Sequence, residues 1–157
     1  MLPPPETLKA AWITAPASRA VMAALNAARS GSARFVGGCV RNALRGISAD
    51  DVDIATQLTP EAVVAALNAA GVRAVPTGIE HGTVTAVHEG VPVEITTLRR
   101  DVETDGRRSV VAFTEDWAED AARRDFRLNA VYAGPGGELF ELIPDSVADA
   151  IAGRVIF

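Results

Sequence analysis

Residues 35–41 read FVGGCVR and residues 51–56 read DVDIAT, and these two stretches decide the fold. The first predicts a strand that runs into a two-glycine turn and then a helix, because the glycine pair interrupts an apolar run. The second predicts a strand whose side chains alternate between two faces. On either side of this centre, the spacing of apolar residues predicts helices at 17–30 and 60–70 and a β-hairpin at 83–97. The alternation of strands and helices predicts an α/β fold, with a mixed sheet and helices mostly on one face.

The remaining segments are predicted from local signals. Residues 100–109 are charged and contain a glycine, which is typical of a mobile loop. Thr114 is expected to cap a helix that carries Arg123 and Arg124 in its last turn. The apolar runs after this helix predict two final strands, at 126–133 and 138–142.

Length and composition limit the class of protein. The chain has 157 residues, of which 48% are hydrophobic and 22% charged, so we expect one globular domain. A net charge of -5 argues against a nucleic-acid interface over the whole surface. Cys39 is the only cysteine, which excludes an intrachain disulfide and fits the reducing cytoplasm. Residues 1–16 are expected to form a loose, proline-rich leader, and the chain shows no apolar run that predicts a membrane span.

Carboxylates form the first candidate site. On a strand, Asp51 and Asp53 point to one face, while the apolar residues between and after them point to the other. Two carboxylates this close repel unless a cation neutralises them, and Mg²⁺ prefers such oxygen ligands. In the hairpin, Glu94 also lies opposite to its apolar neighbours and becomes a third carboxylate if its strand is adjacent. The alternative is a solvated strand end and an exposed hairpin position.

The glycine turn forms the second candidate site. Gly37 and Gly38 let the backbone approach an anion, and Arg41 can add a charge-assisted contact to a phosphate. This arrangement suits a nucleoside triphosphate. A plain turn is the alternative, and the nearby carboxylates favour the nucleotide site.

A polar cluster at the end of the helix predicted after Thr114 forms the third candidate site: Arg123, Arg124, Asp125 and Asn129. Such side chains can contact phosphate, ribose hydroxyls and base edges. The alternative is a pair of surface salt bridges, since Glu119 precedes Arg123 by four residues and Asp120 precedes Arg124 by four. Spacing alone does not separate the two interpretations.

Five motifs between about residues 35 and 133 resemble the class II tRNA nucleotidyltransferase and poly(A) polymerase family, the CCA-adding enzymes of the polymerase-β-like superfamily. They are FVGGCVRNALRG, DDVDIAT, GIEHGTVTAV, VEITTLRRDVETDGRR and EDAARRDFRLNAVY. The resemblance implies a polymerase-β-like nucleotidyltransferase head with a mainly antiparallel sheet.

The resemblance also implies roles for the candidate residues. Asp51 and Asp53 would hold the catalytic metals, two Mg²⁺ ions, and Glu94 would be the third carboxylate of the superfamily. The residues that would contact the nucleotide are Gly37, Gly38, Arg41, Arg123, Arg124, Asp125 and Asn129. The implied reaction is attack of an RNA 3′-hydroxyl on the α-phosphate of ATP or CTP with release of pyrophosphate, most simply CCA addition to tRNA.

Two departures from the family pattern bear on this interpretation. Asn42 stands where the family commonly has an acid, which removes a charge next to Arg41. Family members continue into neck, body and tail domains, whereas this chain ends at Phe157. Residues 17–157 are therefore expected to be a head domain. The surface that binds RNA is expected mostly in the neck, body and tail domains. Poly(A) addition, nucleotidyl transfer to a small molecule or protein, and a non-catalytic nucleotide-binding module are the alternatives.

Overall fold

A seven-stranded sheet forms the centre of the protein in the computed structural model, which describes residues 11–44, 52–104, 108–123 and 131–141. The helices are α1 (Ala11–Thr14), α2 (Pro16–Ala28), α3 (Gly38–Leu44), α4 (Pro60–Ala69) and α5 (Trp117–Ala122), with a 3₁₀ turn at Ile79–His81. The strands are β1 (Ala33–Val36), β2 (Asp53–Thr56), β3 (Arg73–Gly78), β4 (Thr83–His88), β5 (Val91–Thr97), β6 (Arg99–Thr104), β7 (Arg108–Phe113), β8 (Val131–Ala133) and β9 (Leu139–Glu141).

The strand order is β3-β4-β5-β2-β1-β8-β9. Within this sheet, β2 and β5 pair in parallel, and the other neighbouring strands pair in antiparallel orientation. β6 and β7 form a separate two-stranded ribbon. The predicted mixed, mainly antiparallel sheet is therefore confirmed.

The two faces of the sheet bury different residues because strand side chains alternate. One face, which we call the helix-covered face, packs α2 and α4 onto the strands in one large apolar core. Leu25 and Leu67 supply helix side chains to it, and Phe35, Ile54 and Ile95 supply strand side chains, all fully or almost fully buried. The opposite face, the site face, carries a smaller cluster beneath α5: Val36, Ala55, Leu98, Ala121 and Tyr132. Helices thus cover mostly one face, as predicted.

Local signals explain the ends of α4. The Thr59 hydroxyl accepts a hydrogen bond from the backbone N–H of Ala62 at 3.3 Å, and Pro60 occupies the first turn, where its missing N–H costs nothing. Gly71 then adopts a φ of +73°, a left-handed conformation that favours glycine and ends the helix.

The segment predicted as a mobile loop at 100–109 is different in the structure. Arg99–Thr104 pairs with Arg108–Phe113 in antiparallel register, with Val102 opposite Val110. The ribbon forms by pairing between two segments, and the charged, non-periodic residues of 100–109 gave no local signal of that pairing. The loop prediction was wrong for these residues, and 105–107 lie outside the described part.

The predicted start of α5 and the predicted leader also differ from the structure. The N-cap is Asp116, whose carboxylate accepts from the N–H of Ala118 at 2.8 Å, while Thr114 accepts from the N–H of Asp116. Within the expected 1–16 leader, Ala11–Thr14 is helical and Ile13 is 5% exposed, because it packs into the large core. Within the described residues, none of the helices has the length and apolar character needed to cross a membrane.

The helix-covered core should dominate stability. Leu67 is completely buried, so Leu67→Ala should lower the free energy of unfolding by ~2–5 kcal/mol. Val91→Ala, at a position that is 50% exposed, should change it by only about 0.5 kcal/mol or less. Urea denaturation of both variants measures the difference, and equal small changes would contradict the assignment of this core.

Candidate active site

Two of the predicted carboxylates stand side by side on the site face. Asp53 is the first residue of β2, and its partner in the parallel register is Glu94 of β5. The Glu94 N–H donates to the carbonyl of Val52 at 3.2 Å, which fixes the two strands at this point. The structure therefore makes the strands of Asp53 and Glu94 neighbours, and alternation places both side chains on one face.

An open cleft lies over this carboxylate pair. It has a volume of about 350 Å³ and is lined by Val52, Asp53, Thr85, Pro92 and Glu94. Thr85 of β4 is the register partner of Glu94 on the other side, and its hydroxyl is 2.9 Å from that of Thr77. The cleft thus presents carboxylate and hydroxyl oxygens to a ligand, the donor types that suit a hard cation and sugar hydroxyls.

The glycine turn lies against the same carboxylate. Gly37 has a φ of +81°, and a Cβ at this position would be 3.8 Å from Asp53 Oδ2. A side chain at position 37 would have enough space, so the position favours glycine because of its left-handed backbone conformation. One turn along α3, the Arg41 N–H donates to the Gly37 carbonyl at 3.0 Å, and Arg41 Nε donates to Asn42 Oδ1 at 3.5 Å. The turn and Asp53 are thus brought together, while Gly38 begins the helix that carries the half-buried Arg41 one turn further on.

Cys39 lies beneath the site, a position that the sequence did not mark as part of it. Its thiol donates to the Val36 carbonyl at 3.3 Å and is 2% exposed. Burial raises the pKa of the Cys39 thiol to about 11, although a hydrogen bond from the Asp53 backbone N–H opposes this shift. Cys39 is therefore a small apolar support below the glycine turn rather than a nucleophile. Its place directly after the glycine pair was the available sequence signal.

Several predicted site residues lie outside the described part of the chain: Asp51, Arg124, Asp125 and Asn129. Within the described part, no three His, Cys, Asp or Glu side chains are grouped closely enough to hold a metal ion. The carboxylates that the structure does place next to each other are those of Asp53 and Glu94.

The third candidate cluster shows an arrangement that the spacing did not reveal. Asp120 is 2% exposed, and its carboxylate accepts from the Tyr132 hydroxyl at 2.6 Å and from the Arg99 N–H at 3.0 Å. Arg123 Nη1 lies 4.0 Å from Asp120 Oδ1. Asp120 is therefore a buried carboxylate and not a surface one, because the tyrosine and the Arg99 backbone enclose it, and its expected pairing with Arg124 lies outside the described residues. Exposed Glu119 instead accepts from the Thr114 hydroxyl.

An arginine between two aromatic rings completes this end of the site face. The Arg34 guanidinium lies 4.1 Å from the ring centre of Trp117 and 3.8 Å from that of Phe140. Burial lowers the pKa of Arg34 from its usual value. The two rings compensate part of the lost hydration through cation–π contacts, and they fix α5 to the sheet. The sequence analysis did not identify this contact.

A mostly antiparallel sheet that presents paired carboxylates beside a two-glycine turn defines the head-domain class of nucleotidyltransferase folds. The chain belongs to the poly A polymerase head domain family, whose sequence model matches residues 33–155. The family resemblance in the sequence is thus confirmed.

Three known proteins illustrate the similarity. The chain is 46% identical over 109 residues to the CCA tRNA nucleotidyltransferase 1, mitochondrial, of Danio rerio, an alignment that covers 69% of this chain and 25% of the relative. The structure resembles the Bacillus stearothermophilus CCA-adding enzyme in complex with CTP, with a TM-score of 0.70, 33% identity, and coverage of 85% and 31% of the two chains. It also resembles a tRNA nucleotidyltransferase complexed with a primer tRNA and an incoming ATP analog, with a TM-score of 0.57, 28% identity, and coverage of 76% and 33%. The chain therefore spans about a quarter to a third of the length of these proteins.

The buried thiol gives a prediction for the site support. At pH 8, a thiol reagent should modify Cys39 slowly in the native protein and rapidly in denaturant, because the pKa of the buried thiol is about 11. The unfolded thiol titrates near pH 9.0, so its contribution to stability should be lost as pH rises from there to about 11. Cys39→Ala should lack this part of the pH dependence of unfolding. Rapid native modification at pH 8 would contradict the burial of the thiol.

Proposed function

We propose that the protein transfers nucleotidyl groups from ATP or CTP to the 3′-hydroxyl of RNA, in a metal-dependent reaction that adds CCA to the 3′ end of tRNA. The observation that carries this proposal is the register pairing of Asp53 with Glu94 beside the Gly37 turn. Membership in the poly A polymerase head family supports the reaction type. The names of the relatives, which specify CCA, CTP and primer tRNA, support the substrates.

The donor set fits Mg²⁺. Asp53 and Glu94 are neighbouring carboxylates at an open cleft, and a cation reduces the repulsion between such charges. We propose that Asp53 holds the metal with Asp51, two residues earlier in the sequence, and that Glu94 contributes from the adjacent strand. When bound, Mg²⁺ would lower the pKa of the attacking hydroxyl and neutralise the leaving pyrophosphate.

The chain's own residues would orient the nucleotide. The Gly37 and Gly38 turn allows close approach of a phosphate, and the Arg41 guanidinium can make a forked contact to its oxygens. Arg123, Arg124, Asp125 and Asn129 are proposed as the contacts to the phosphates and ribose. Held in this way, the α-phosphate can meet a 3′-hydroxyl in line with the leaving pyrophosphate, so positioning supplies most of the catalysis.

The partner surface and the location follow from charge and sequence. A net charge of -5 does not favour a broad RNA interface on this domain, so we propose that neck, body and tail domains of the full protein bind the RNA. Residues 17–157 then form the head. The single cysteine supports a cytoplasmic location, and the mitochondrial name of the Danio rerio relative makes an organelle the alternative.

Removal of one carboxylate tests the reaction. In the full-length protein, Asp53→Asn should abolish incorporation of labelled ATP into tRNA that lacks its 3′ end. The fold should be preserved, because the change removes one of two repelling charges. Glu89→Gln, at an exposed position of the β4–β5 turn, is the matched control and should retain activity. Near-normal transfer by Asp53→Asn in saturating Mg²⁺ would exclude the site, and transfer to small molecules instead of tRNA would favour the alternative substrates.

Base selectivity provides a second test. The contacts proposed here reach metal, phosphate and ribose, which all four nucleotides share, so the 157-residue chain should bind ATP, CTP, GTP and UTP with similar affinities. Differences should stay below tenfold, or ~1.4 kcal/mol. Calorimetric titrations in Mg²⁺ measure this. A preference of about tenfold or more for ATP or CTP would show that this chain reads the base.

A further inference from the structure

Asp120 is a buried carboxylate that lies outside the cleft. Asp120 is 2% exposed, although a carboxylate loses favourable hydration when it leaves water. It is compensated by the Tyr132 hydroxyl at 2.6 Å, the Arg99 N–H at 3.0 Å and the Arg123 guanidinium at 4.0 Å. We call these four residues the Asp120 cluster. Replacing buried ion pairs by apolar groups is often neutral or stabilising, so such a cluster points to a role other than stability.

The Asp120 cluster joins three separate elements at one point. Asp120 lies on α5, Arg99 begins β6 and Tyr132 is the central residue of β8. Arg123 directly follows α5 and its guanidinium faces the same carboxylate. The cluster therefore fixes the carboxyl end of α5 against two strands and limits where Arg123 can go.

The position of this cluster along the chain is informative. α5 ends at Ala122 and β8 begins at Val131, so the Asp120–Tyr132 hydrogen bond ties together residues on the two sides of 124–130. A bond of this kind, made by a carboxylate in a water-poor environment, is directional and strong.

Aromatic packing holds the same elements together. The Trp117 ring meets the Tyr132 ring edge to face at 5.3 Å, and Trp117 also contacts Arg34 of β1. Packing thus holds the tyrosine ring, while its hydroxyl donates a hydrogen bond to the Asp120 carboxylate. Apolar packing alone would stabilise α5, so the added polar contact can be separated from it by substitution.

From this geometry we infer that Asp120 and Tyr132 are positioning residues, which hold the Arg123 guanidinium at the end of α5 in the place where it contacts the nucleotide's phosphates. This inference rests on the proposed function. Neither side chain lines the carboxylate cleft, so neither is a catalytic residue. Their effect would appear in nucleotide binding rather than in metal binding or RNA binding.

Two mild substitutions test this. Tyr132→Phe removes only the hydroxyl, and Asp120→Asn removes the charge while keeping the shape and an acceptor for the Arg99 N–H. In the full-length protein, each should raise the KM for ATP about tenfold, equivalent to ~1.4 kcal/mol. The KM for RNA should stay within about twofold, because the RNA is proposed to bind to other domains of the full-length protein, which the Asp120 cluster does not contact. Calorimetry on the 157-residue chain should show the same loss of ATP affinity.

Glu119→Gln is the matched control, since it makes the same chemical change on the next residue, which is exposed and bonded to Thr114. It should leave ATP affinity unchanged. If Tyr132→Phe and Asp120→Asn melt at lower temperature but bind ATP as the wild type does, the cluster is merely structural and the inference is overturned while the proposed function stands. If the wild type does not bind ATP in Mg²⁺, the proposed function and the inference both fail.

Discussion

The parallel pairing of β2 with β5 is the constraint on which the site depends. Neighbouring strands are about 4.8 Å apart, so register partners with like charge repel each other. Asp53 and Glu94 are such partners, and the sheet keeps them together because Ile54 and Ile95, the next residues of the same strands, are buried on the helix-covered face. Apolar burial on one side thus holds charges together on the other, and a shift of one residue would turn the carboxylates into the core.

Much of this arrangement could be predicted because its signals are local. The apolar run before the glycine pair correctly predicted β1 and the turn before α3. The period of two in β5 and the cap at Thr59 correctly predicted that strand and α4. Alternation also assigned Glu94 to the face of Asp53. The sequence did not predict that their two strands are adjacent, because strand order depends on contacts between residues far apart in the sequence.

The errors and omissions have physical reasons as well. β3 reads RAVPTG, and its proline and its lack of any buried residue fit an edge strand that carries little pattern of its own. β6 reads RRDVET, which is mostly charged, and its pairing with β7 has no local sequence signal. Asp120 looked like one member of an exposed helical charge pair, because its burial is set by Tyr132, which comes twelve residues later and on another element. Burial of a charge is a property of the tertiary structure and has no local sequence signature.

The two tryptophans give separate optical reporters for the two sides of the sheet. Trp12 meets Phe35 edge to face at 4.8 Å beside the helix-covered core, whereas Trp117 contacts Tyr132 and Arg34 on the site face. A nearby guanidinium and phenol change the emission environment of one indole and not of the other. Fluorescence from single-tryptophan variants would therefore resolve whether the two layers loosen together or in sequence when the domain unfolds, without any attached dye.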